Sequence, residues 1–412
     1  MMYGCIAEKL SHSFSKDIHN RLFDYSYELL ELTPDELPVF LQKKDFKAIN
    51  VTIPYKEKVI PFLDHVSDVA AKIGAVNTIV NKNGVLYGHN TDFAGMTALI
   101  KRRGIDLFGK KVLILGSGGT SKTAFAVAEA LGAASVTRVS RGGNEDCITY
   151  DEARACCSDA DIIINTTPVG MYPNLGNSPV DLSDYPNVSA VVDAVYNPLR
   201  SQLVTDAEKK GINAVGGLYM LVAQAAFAAE LFLDTKVEVS EIDRVFNELV
   251  LLKRNIVLTG MPGSGKSTIG RLLAKKLGVG FIDTDDEVIK DIGMPIPDYF
   301  AKYGEAEFRK KEREAVDRIA SLQGVVIATG GGVVLDEHNT DMLSQNGKIY
   351  FIDRDINSIA ATSDRPLSSN RADLEKRYKE RYPLYCARCD RHTVISDDAE
   401  ENAKLIYEDF VL

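Results

Sequence analysis

Asn255-Ile-Val-Leu-Thr259-Gly260-Met-Pro-Gly263-Ser264-Gly265-Lys266-Ser267-Thr268-Ile269-Gly-Arg-Leu272 decides how this chain must be built. The first five residues form an apolar run of strand type. Gly260 to Ser267 then fits the spacing G-x-x-x-x-G-K-[ST], and Ile269, Leu272 and Leu273 recur at helical spacing. Glycines let backbone N–H groups turn inward around a phosphate, where a Cβ would obstruct them. The helix starting near Lys266 aims its positive end at the same anion. Lys266 is placed to reach β- and γ-phosphates, and Ser267 a magnesium ion. An incidental Gly-rich turn would not also carry a strand before it and a helix behind. A domain for a nucleoside triphosphate thus opens at about residue 254, and everything before it needs a separate explanation.

A chain of 412 residues, 45% hydrophobic and 26% charged, has the composition of a globular protein of two or three domains. A net charge of −10 argues against nucleic acid or an anionic membrane as partner. The six cysteines, at 5, 147, 156, 157, 386 and 389, show no disulfide-scaffold pattern. Cys386-Ala-Arg-Cys389 reads as a reduced pair packed on a helix, since no second pair or strand–helix redox context accompanies it. The start, Met-Met-Tyr-Gly-Cys-Ile, has no basic segment leading into an apolar core, so no signal peptide is expected. The longest apolar stretch, Leu218 to Leu233, carries Gln224 and Glu230 and is too short to span a bilayer. The cytoplasm is the expected compartment.

In residues 1–100, strand-like runs at 2–7, 25–32, 48–53, 75–80 and 84–88 alternate with helical patterns at 16–23, 34–43 and 92–103. That alternation predicts an α/β fold, with Asn83-Gly84 as a hairpin turn. Polar clusters stand at the ends of these elements. Ser11-His-Ser13-Phe-Ser15 could simply cap a helix through Ser15, and Thr91 or Asp92 could cap the helix after Gly88-His-Asn90. Asn50-Val-Thr52-Ile-Pro-Tyr-Lys56 ends a strand at Pro54 with a lysine close behind, which alone is an ordinary surface feature.

Taken together, S-H-S-x-S, N-V-T-x-P-x-K, A-V-N-T (Ala75 to Thr78) and N-T-D resemble the shikimate dehydrogenases. The resemblance implies that Ser13, Ser15, Thr52, Asn77 and Asp92 hold the carboxylate and hydroxyls of shikimate, with Lys56 and Asp92 as the catalytic pair. Lys16 departs from the proline usual after the second serine, leaving both hydroxyls in place. Reducing a ketone by hydride leaves a developing alkoxide that needs positive charge and a proton, which a lysine beside a carboxylate can provide.

Lys111-Val-Leu-Ile-Leu115 is a continuous apolar run of the kind a buried parallel strand requires. Gly116-Ser117-Gly118-Gly119-Thr120-Ser121 follows and resembles the dinucleotide fingerprint, with Ser121 where a third glycine is usual. The next strand, Ser135 to Ser140, ends in Ser140-Arg141 rather than in an acid. A guanidinium suits a 2′-phosphate, so NADP is expected over NAD. In the resembling family the positions of Tyr196 and Gln224 reach substrate and that of Gly217 lies near the nicotinamide. Gln224 could equally be a buried amide satisfied within a helix bundle. Residues 240–252 read as a helix packing back on the first subdomain.

Only Lys253-Arg254 separates that helix from the strand at 255. Beyond the phosphate loop come Asp283-Thr-Asp285, a helix at 305–321 carrying Phe308-Arg309, Thr329-Gly-Gly331-Gly332 after a strand, Asp364-Arg365-Pro-Leu, and Arg381-Tyr-Pro-Leu-Tyr385. The ordered set resembles shikimate kinases along the whole segment. That likeness implies that Asp285 positions or deprotonates the accepting hydroxyl, that Asp283 helps Ser267 hold magnesium through water, and that Arg309 and Arg381 clamp the carboxylate. It also implies that Gly331 lines the pocket, and that Arg365 sits in a lid and neutralises the transferring phosphate. Gly263, Ser264, Gly265, Lys266, Ser267 and Thr268 would hold ATP.

The reading is an α/β chain in three parts. A substrate-binding subdomain spans 1–100 and 237–252, an NADP-binding Rossmann subdomain 101–236, and a P-loop kinase domain 253–412. The expected enzyme reduces 3-dehydroshikimate with NADPH and then phosphorylates shikimate with ATP and Mg2+. Small-molecule substrates are its partners, with no nucleic acid and no membrane, and a homodimer stays open. A nucleotide-sensing regulator would show damage at Lys56, Asp92, Lys266 or Asp285, and none is seen. A catabolic NAD-dependent quinate/shikimate dehydrogenase is disfavoured by Arg141 and by the attached second segment.

Overall fold

The computed structural model describes residues 2–10, 14–143, 145–359 and 371–412. Their contacts divide the chain into two compact units. The first comprises Met1–Met171, Asn177–Asn197 and Asp206–Glu248, and the second Tyr172–Gly176, Pro198–Thr205 and Leu249–Leu412.

The first unit begins with a mixed six-stranded sheet. Its elements run β1 (Met2–Ala7), α1 (Ser15–Leu22), β2 (Tyr27–Glu31), α2 (Glu36–Lys43), β3 (Phe46–Val51), β4 (His65–Val66), α3 (Asp68–Ile73), β5 (Thr78–Lys82), β6 (Val85–His89) and α4 (Thr91–Arg102). The strand order is β2-β1-β3-β5-β6-β4, with β1 parallel to its neighbours and β5–β6 an antiparallel hairpin. Asn83 (φ 56°) and Gly84 (φ 88°) make that turn, which needs left-handed backbone at both positions. Ile6, Phe46, Ile49, Val51 and Ile79 fill the core on one face.

Two expectations fail locally. Ser15 is the first helical residue of α1, and the N-cap position falls to Phe14. Asn90, not Thr91 or Asp92, caps α4 by accepting from the Phe93 N–H at 3.1 Å. The short pair α3 and β4 lies where no pattern was read, because two and six residues are too few to show a period.

A second, all-parallel sheet follows in order β11-β10-β9-β7-β8. It is built from β7 (Lys111–Leu115), α5 (Gly119–Ala130), β8 (Ser135–Val139), α6 (Tyr150–Cys156), β9 (Ile162–Asn165), β10 (Ala190–Asp193), α7 (Gln202–Lys209) and β11 (Asn213–Val215). Strand order reverses direction at β7, the switch point where such sheets bind ligands beyond their carboxyl ends. The buried helix α8 (Leu218–Leu233) and α9 (Val239–Lys253) complete the unit. As expected, α9 returns to the first sheet's helices: Arg21 pairs with Glu248 at 2.7 Å and Arg102 with Asp243 at 2.9 Å.

The second unit holds a parallel sheet of order β13-β14-β12-β15-β16. Its elements are β12 (Asn255–Thr259), α10 (Lys266–Leu277), β13 (Gly280–Asp283), α11 (Thr284–Ile292), α12 (Ile296–Ala320), β14 (Val325–Ala328), α13 (Glu337–Asn346), β15 (Gly347–Asp353), α14 (Arg371–Ala387), β16 (Arg391–Val394) and α15 (Ala399–Val411). The central strand β12 is buried along its length. α12 is broken at Gly304, whose φ of 82° is non-helical, so its longer arm begins at 305 as expected and a shorter arm from Ile296 precedes it.

Segment 198–205 seals the carboxyl end of α13. The Arg200 guanidinium donates to the carbonyls of Ser344 at 2.6 Å and Gly347 at 3.0 Å, and the Arg200 N–H to that of Gln345 at 2.9 Å. A cation on orphaned helix-end carbonyls opposes the negative end of the helix. The six cysteines are free, and the 386/389 pair departs from expectation. α14 stops at Ala387, so Cys389 is off the helix and Cys386 is exposed. No helix of the described residues is long and apolar enough to cross a membrane.

Candidate active sites

In the first unit the turn after β3 presents Lys56 and the first turn of α4 presents Asp92. Lys56 Nζ meets Asp92 Oδ2 at 2.6 Å, with both side chains largely shielded. The Val76 N–H donates to the Lys56 carbonyl at 2.8 Å, which fixes the lysine's backbone beside Asn77. Asn77 is buried, and its Oδ1 accepts from the Thr91 N–H at 2.7 Å. Its Nδ2 donates to Thr91 Oγ1 at 3.1 Å. So Asn77 is locked to the residue next to Asp92.

Gly95 lets α8 approach α4. A Cβ there would stand 2.8 Å from the Met220 carbonyl and 2.9 Å from Gln224 Cβ, closer than real contacts allow. That approach carries Gln224 toward the same helix as Asp92. The Gln224 amide donates to its own helix at Leu221 O, 2.9 Å away. Tyr196 packs against Phe14, with ring centroids 5.3 Å apart, next to Ser15 at the start of α1. Thr52 follows β3 directly, and its N–H pairs with the Ile6 carbonyl at 3.1 Å.

The dinucleotide turn reaches the same place. Gly116 takes a φ of 122°, and Ser121 Oγ donates to its carbonyl at 2.6 Å, so the hydroxyl ties the turn where a third glycine was expected. An added Cβ on Gly119 would lie 3.7 Å from Lys56 Cδ, which puts the amino end of α5 against that lysine. Ser117 and Gly118 are exposed, and Gly119 and Thr120 partly so, leaving the turn open to a ligand. Gly217 abuts the Ala194 backbone closely enough to exclude any side chain. At the end of β8, beside Ser140, Arg141 is exposed and near Tyr150, whereas Arg138 is already paired with Asp146 at 3.1 Å and laid over Phe125.

In the second unit Gly263 and Gly265 take φ of 83° and 97°, values that favour glycine and turn successive N–H groups inward. Lys266 Nζ donates to the carbonyls of Gly260 and Met261, both at 2.9 Å, and Ser264 Oγ is buried with no partner among the described residues. A cradle of this kind fits a polyphosphate. Ser267 Oγ donates to Asp283 Oδ2 at 2.6 Å, and Asp283 caps α11 through the Asp285 N–H at 3.1 Å.

The acceptor pocket forms around Gly330, Gly331 and Gly332. A Cβ on Gly330 would overlap the Asp285 carboxylate, and one on Gly332 the Arg309 guanidinium. Arg381 donates to the Gly331 carbonyl at 2.8 Å, as does the Tyr385 hydroxyl at 2.6 Å. Arg309 is held by Glu312 and Glu305, each at 2.8 Å. Burial, then the neighbouring Asp283 charge, raises the Asp285 carboxyl to about 6, against the pull of Lys266. Burial likewise raises Glu312 to about 7, opposed by Arg309. Glu312 escaped the sequence reading, although its place three residues after Arg309, on the same helical face, was the available signal.

The structure therefore gathers Lys56, Asp92, Asn77 and Gly119 in one site, and Asp285, Arg309, Arg381 and Gly331 in the other. Ser13 and Arg365 lie outside the described residues. No group of three or more His, Cys, Asp or Glu among the described residues is arranged to hold a metal.

A parallel switch-point sheet with an ammonium–carboxylate pair at its mouth defines a dinucleotide-dependent oxidoreductase, and the phosphate cradle of the second unit defines a phosphotransferase. Comparisons with known proteins name both. Residues 5–79 match the model of the shikimate dehydrogenase substrate binding domain, and residues 262–411 that of shikimate kinase. A shikimate dehydrogenase (NADP(+)) of Clostridium perfringens is 36% identical over 266 residues, covering 60% of this chain and 98% of the relative. The crystal structure of shikimate dehydrogenase 1 from Peptoclostridium difficile superposes with a TM-score of 0.56 at 37% identity, covering 60% of this chain and 97% of that one. That of Thermus thermophilus shikimate 5-dehydrogenase, in complex with NADP(H) and shikimate, gives 0.54 at 29% identity, covering 60% and 99%. The chain belongs to the shikimate dehydrogenase family over its N-terminal part and carries a shikimate kinase domain behind it.

Proposed function

We propose that this bifunctional enzyme of aromatic amino-acid biosynthesis reduces 3-dehydroshikimate to shikimate and then converts shikimate to shikimate 3-phosphate. The single observation that carries the first activity is the Lys56–Asp92 pair, held at 2.6 Å against the amino end of α5. NADPH supplies the hydride. As the ketone oxygen gains charge, the Lys56 ammonium donates its proton there, and Asp92 accepts from a substrate hydroxyl and steadies the ammonium. Ser13, Ser15, Thr52, Asn77, Tyr196 and Gln224 orient the ring. Gly116 to Thr120, Ser140, Arg141 and Gly217 bind the cofactor, Arg141 taking the 2′-phosphate.

ATP supplies the phosphoryl group to the second activity. Gly263 to Thr268 bind it, with Lys266 turning from the loop carbonyls to the phosphates. Ser267 Oγ and the Asp283 carboxylate, bonded to each other at 2.6 Å, would hold Mg2+, which would supply positive charge to the phosphates. Arg309 and Arg381 grip the acid's carboxylate. Asp285 takes the proton of the attacking hydroxyl, and Arg365 balances the moving charge. We assign 1–100 with 237–252 to substrate binding, 101–236 to NADP and 253–412 to the kinase. Purified chain given 3-dehydroshikimate, NADPH, ATP and magnesium should form shikimate and then its 3-phosphate, followed by mass. Consumption of neither NADPH nor ATP would end this reading.

A further inference from the structure

Beneath the first site runs a buried polar chain that ends on Asn77 and whose other members have no part in the chemistry just described. It starts at His19, one turn after Ser15 on α1 and fully buried. The imidazole stacks face to face on Tyr27, with centroids 4.0 Å apart and planes 10° from parallel, and lies parallel to Phe232 of α8 at 5.8 Å. Its Nδ1 shares a hydrogen bond of 2.5 Å with the Tyr25 hydroxyl. Burial pushes the imidazole down to about 3, with nearby Asn50 opposing only weakly, so the ring is neutral at working pH and makes no use of charge.

From there the bonds run in one direction. The Tyr27 hydroxyl donates to Asn50 Oδ1 at 2.7 Å. The Asn50 amide nitrogen donates to Thr78 Oγ1 at 3.2 Å and to the Asn77 carbonyl at 3.4 Å. Thr78 Oγ1 donates to Asn77 Oδ1 at 3.0 Å, and the Thr91 N–H reaches the same oxygen. Two contacts set the polarity, the Thr91 N–H on Asn77 Oδ1 and the Asn50 amide nitrogen on the Asn77 carbonyl, and the Tyr27 and Thr78 hydroxyls take the places these leave. With Oδ1 of Asn77 consumed by Thr78 and Thr91, and one N–H given to Thr91, the group left to offer is an N–H donor.

We infer that His19 and Tyr27 are positioning residues of the dehydrogenase, which orient the amide of Asn77 through Asn50 so that it presents a donor to a substrate oxygen. The inference rests on the dehydrogenase reading above. It also selects substrates, because a ring bearing an oxygen at that point would be accepted and one lacking it refused.

The test uses the full chain, whose kinase activity measures the amount of chain in each sample, while an unchanged dehydrogenase kcat shows that the first unit is folded. Tyr27→Phe, which keeps the stack and loses only the donor, should raise the KM for 3-dehydroshikimate about tenfold, with kcat and kinase activity held within about twofold. His19→Ala should do the same, and His19→Phe, which keeps a flat ring on Tyr27, should recover most of the loss. Tyr27→Phe combined with Asn50→Leu should be no worse than Asn50→Leu alone, as for one chain of contacts. An unchanged KM in Tyr27→Phe, a fall confined to kcat, or simple multiplication of the two defects would each overturn the inference. If His19→Ala also loses kinase activity, Tyr27→Phe decides. A wild-type chain inactive on this substrate would remove the dehydrogenase reading and the inference together, whereas an active wild type matched by its variants removes only the inference.

Discussion

In the first unit an ammonium and a carboxylate meet at 2.6 Å, while in the second two carboxyls, Asp285 and Glu312, share a buried neighbourhood with Arg309 and Arg381. The contrast follows the two reactions. A ketone gaining hydride needs a proton delivered, and in the proposed reduction Lys56, paired with Asp92, delivers it. A hydroxyl attacking phosphorus must lose a proton, and in the proposed phosphorylation Asp285, raised to about 6 by burial and by Asp283, collects it. A turn after a strand and the first turn of a helix thus supply a pair for proton donation in one unit and a carboxyl for proton acceptance in the other. What changes is the company each carboxyl keeps.

Several measurements would break or sharpen that contrast. Lys266→Ala should cost the kinase about 10³ in rate and leave the dehydrogenase intact, while Lys56→Ala should cost the dehydrogenase about 10²–10⁴ and spare the kinase. Separate assays on each variant decide, and a loss of both activities in either one would contradict separate sites. The kinase should next show an acid limb. Asp285 works only when ionised, so kcat/KM should fall as pH drops through about 6 and hold above it, with the limb removed in Asp285→Asn at a much lower rate. A kinase profile flat from pH 5 to 8 would deny Asp285 the role of base.

Smaller effects test the binding groups. Arg141→Asp should raise the KM for NADP by one to two orders of magnitude, about 1.4–2.7 kcal/mol, and that for NAD far less. Equal effects on both cofactors would move the 2′-phosphate elsewhere. Smallest is Arg200→Ala, which strips a charged donor from the carboxyl end of α13 and should destabilise the second unit by about 1 kcal/mol. Hydrogen exchange at 344–348 would register it, and unchanged protection there would show that solvent serves those carbonyls equally well.

Much of this molecule was legible in the chain itself. The P-loop, the dinucleotide turn, Lys56, Asp92 and Asp285 lie within motifs whose spacing is set by local backbone geometry, so strand, turn and helix could be read around them. Secondary elements followed wherever an apolar period ran long enough. The caps were misread because Ser15, Asn90, Thr91 and Asp92 are chemically interchangeable at a helix start, and only the φ of each residue settles which one serves.

Other features belong to the tertiary structure alone. Nothing local marks Glu312 as a carboxyl raised to about 7, because that requires burial beside Asp285 and Arg309. Nothing marks His19 as the root of a chain reaching Asn77, or Arg200 as the cap of a helix some 140 residues later. Spacing along a chain encodes contacts within a turn or a loop. Desolvation, and the direction of a shared hydrogen bond, depend on what the whole fold brings alongside, and no single stretch of residues holds that information.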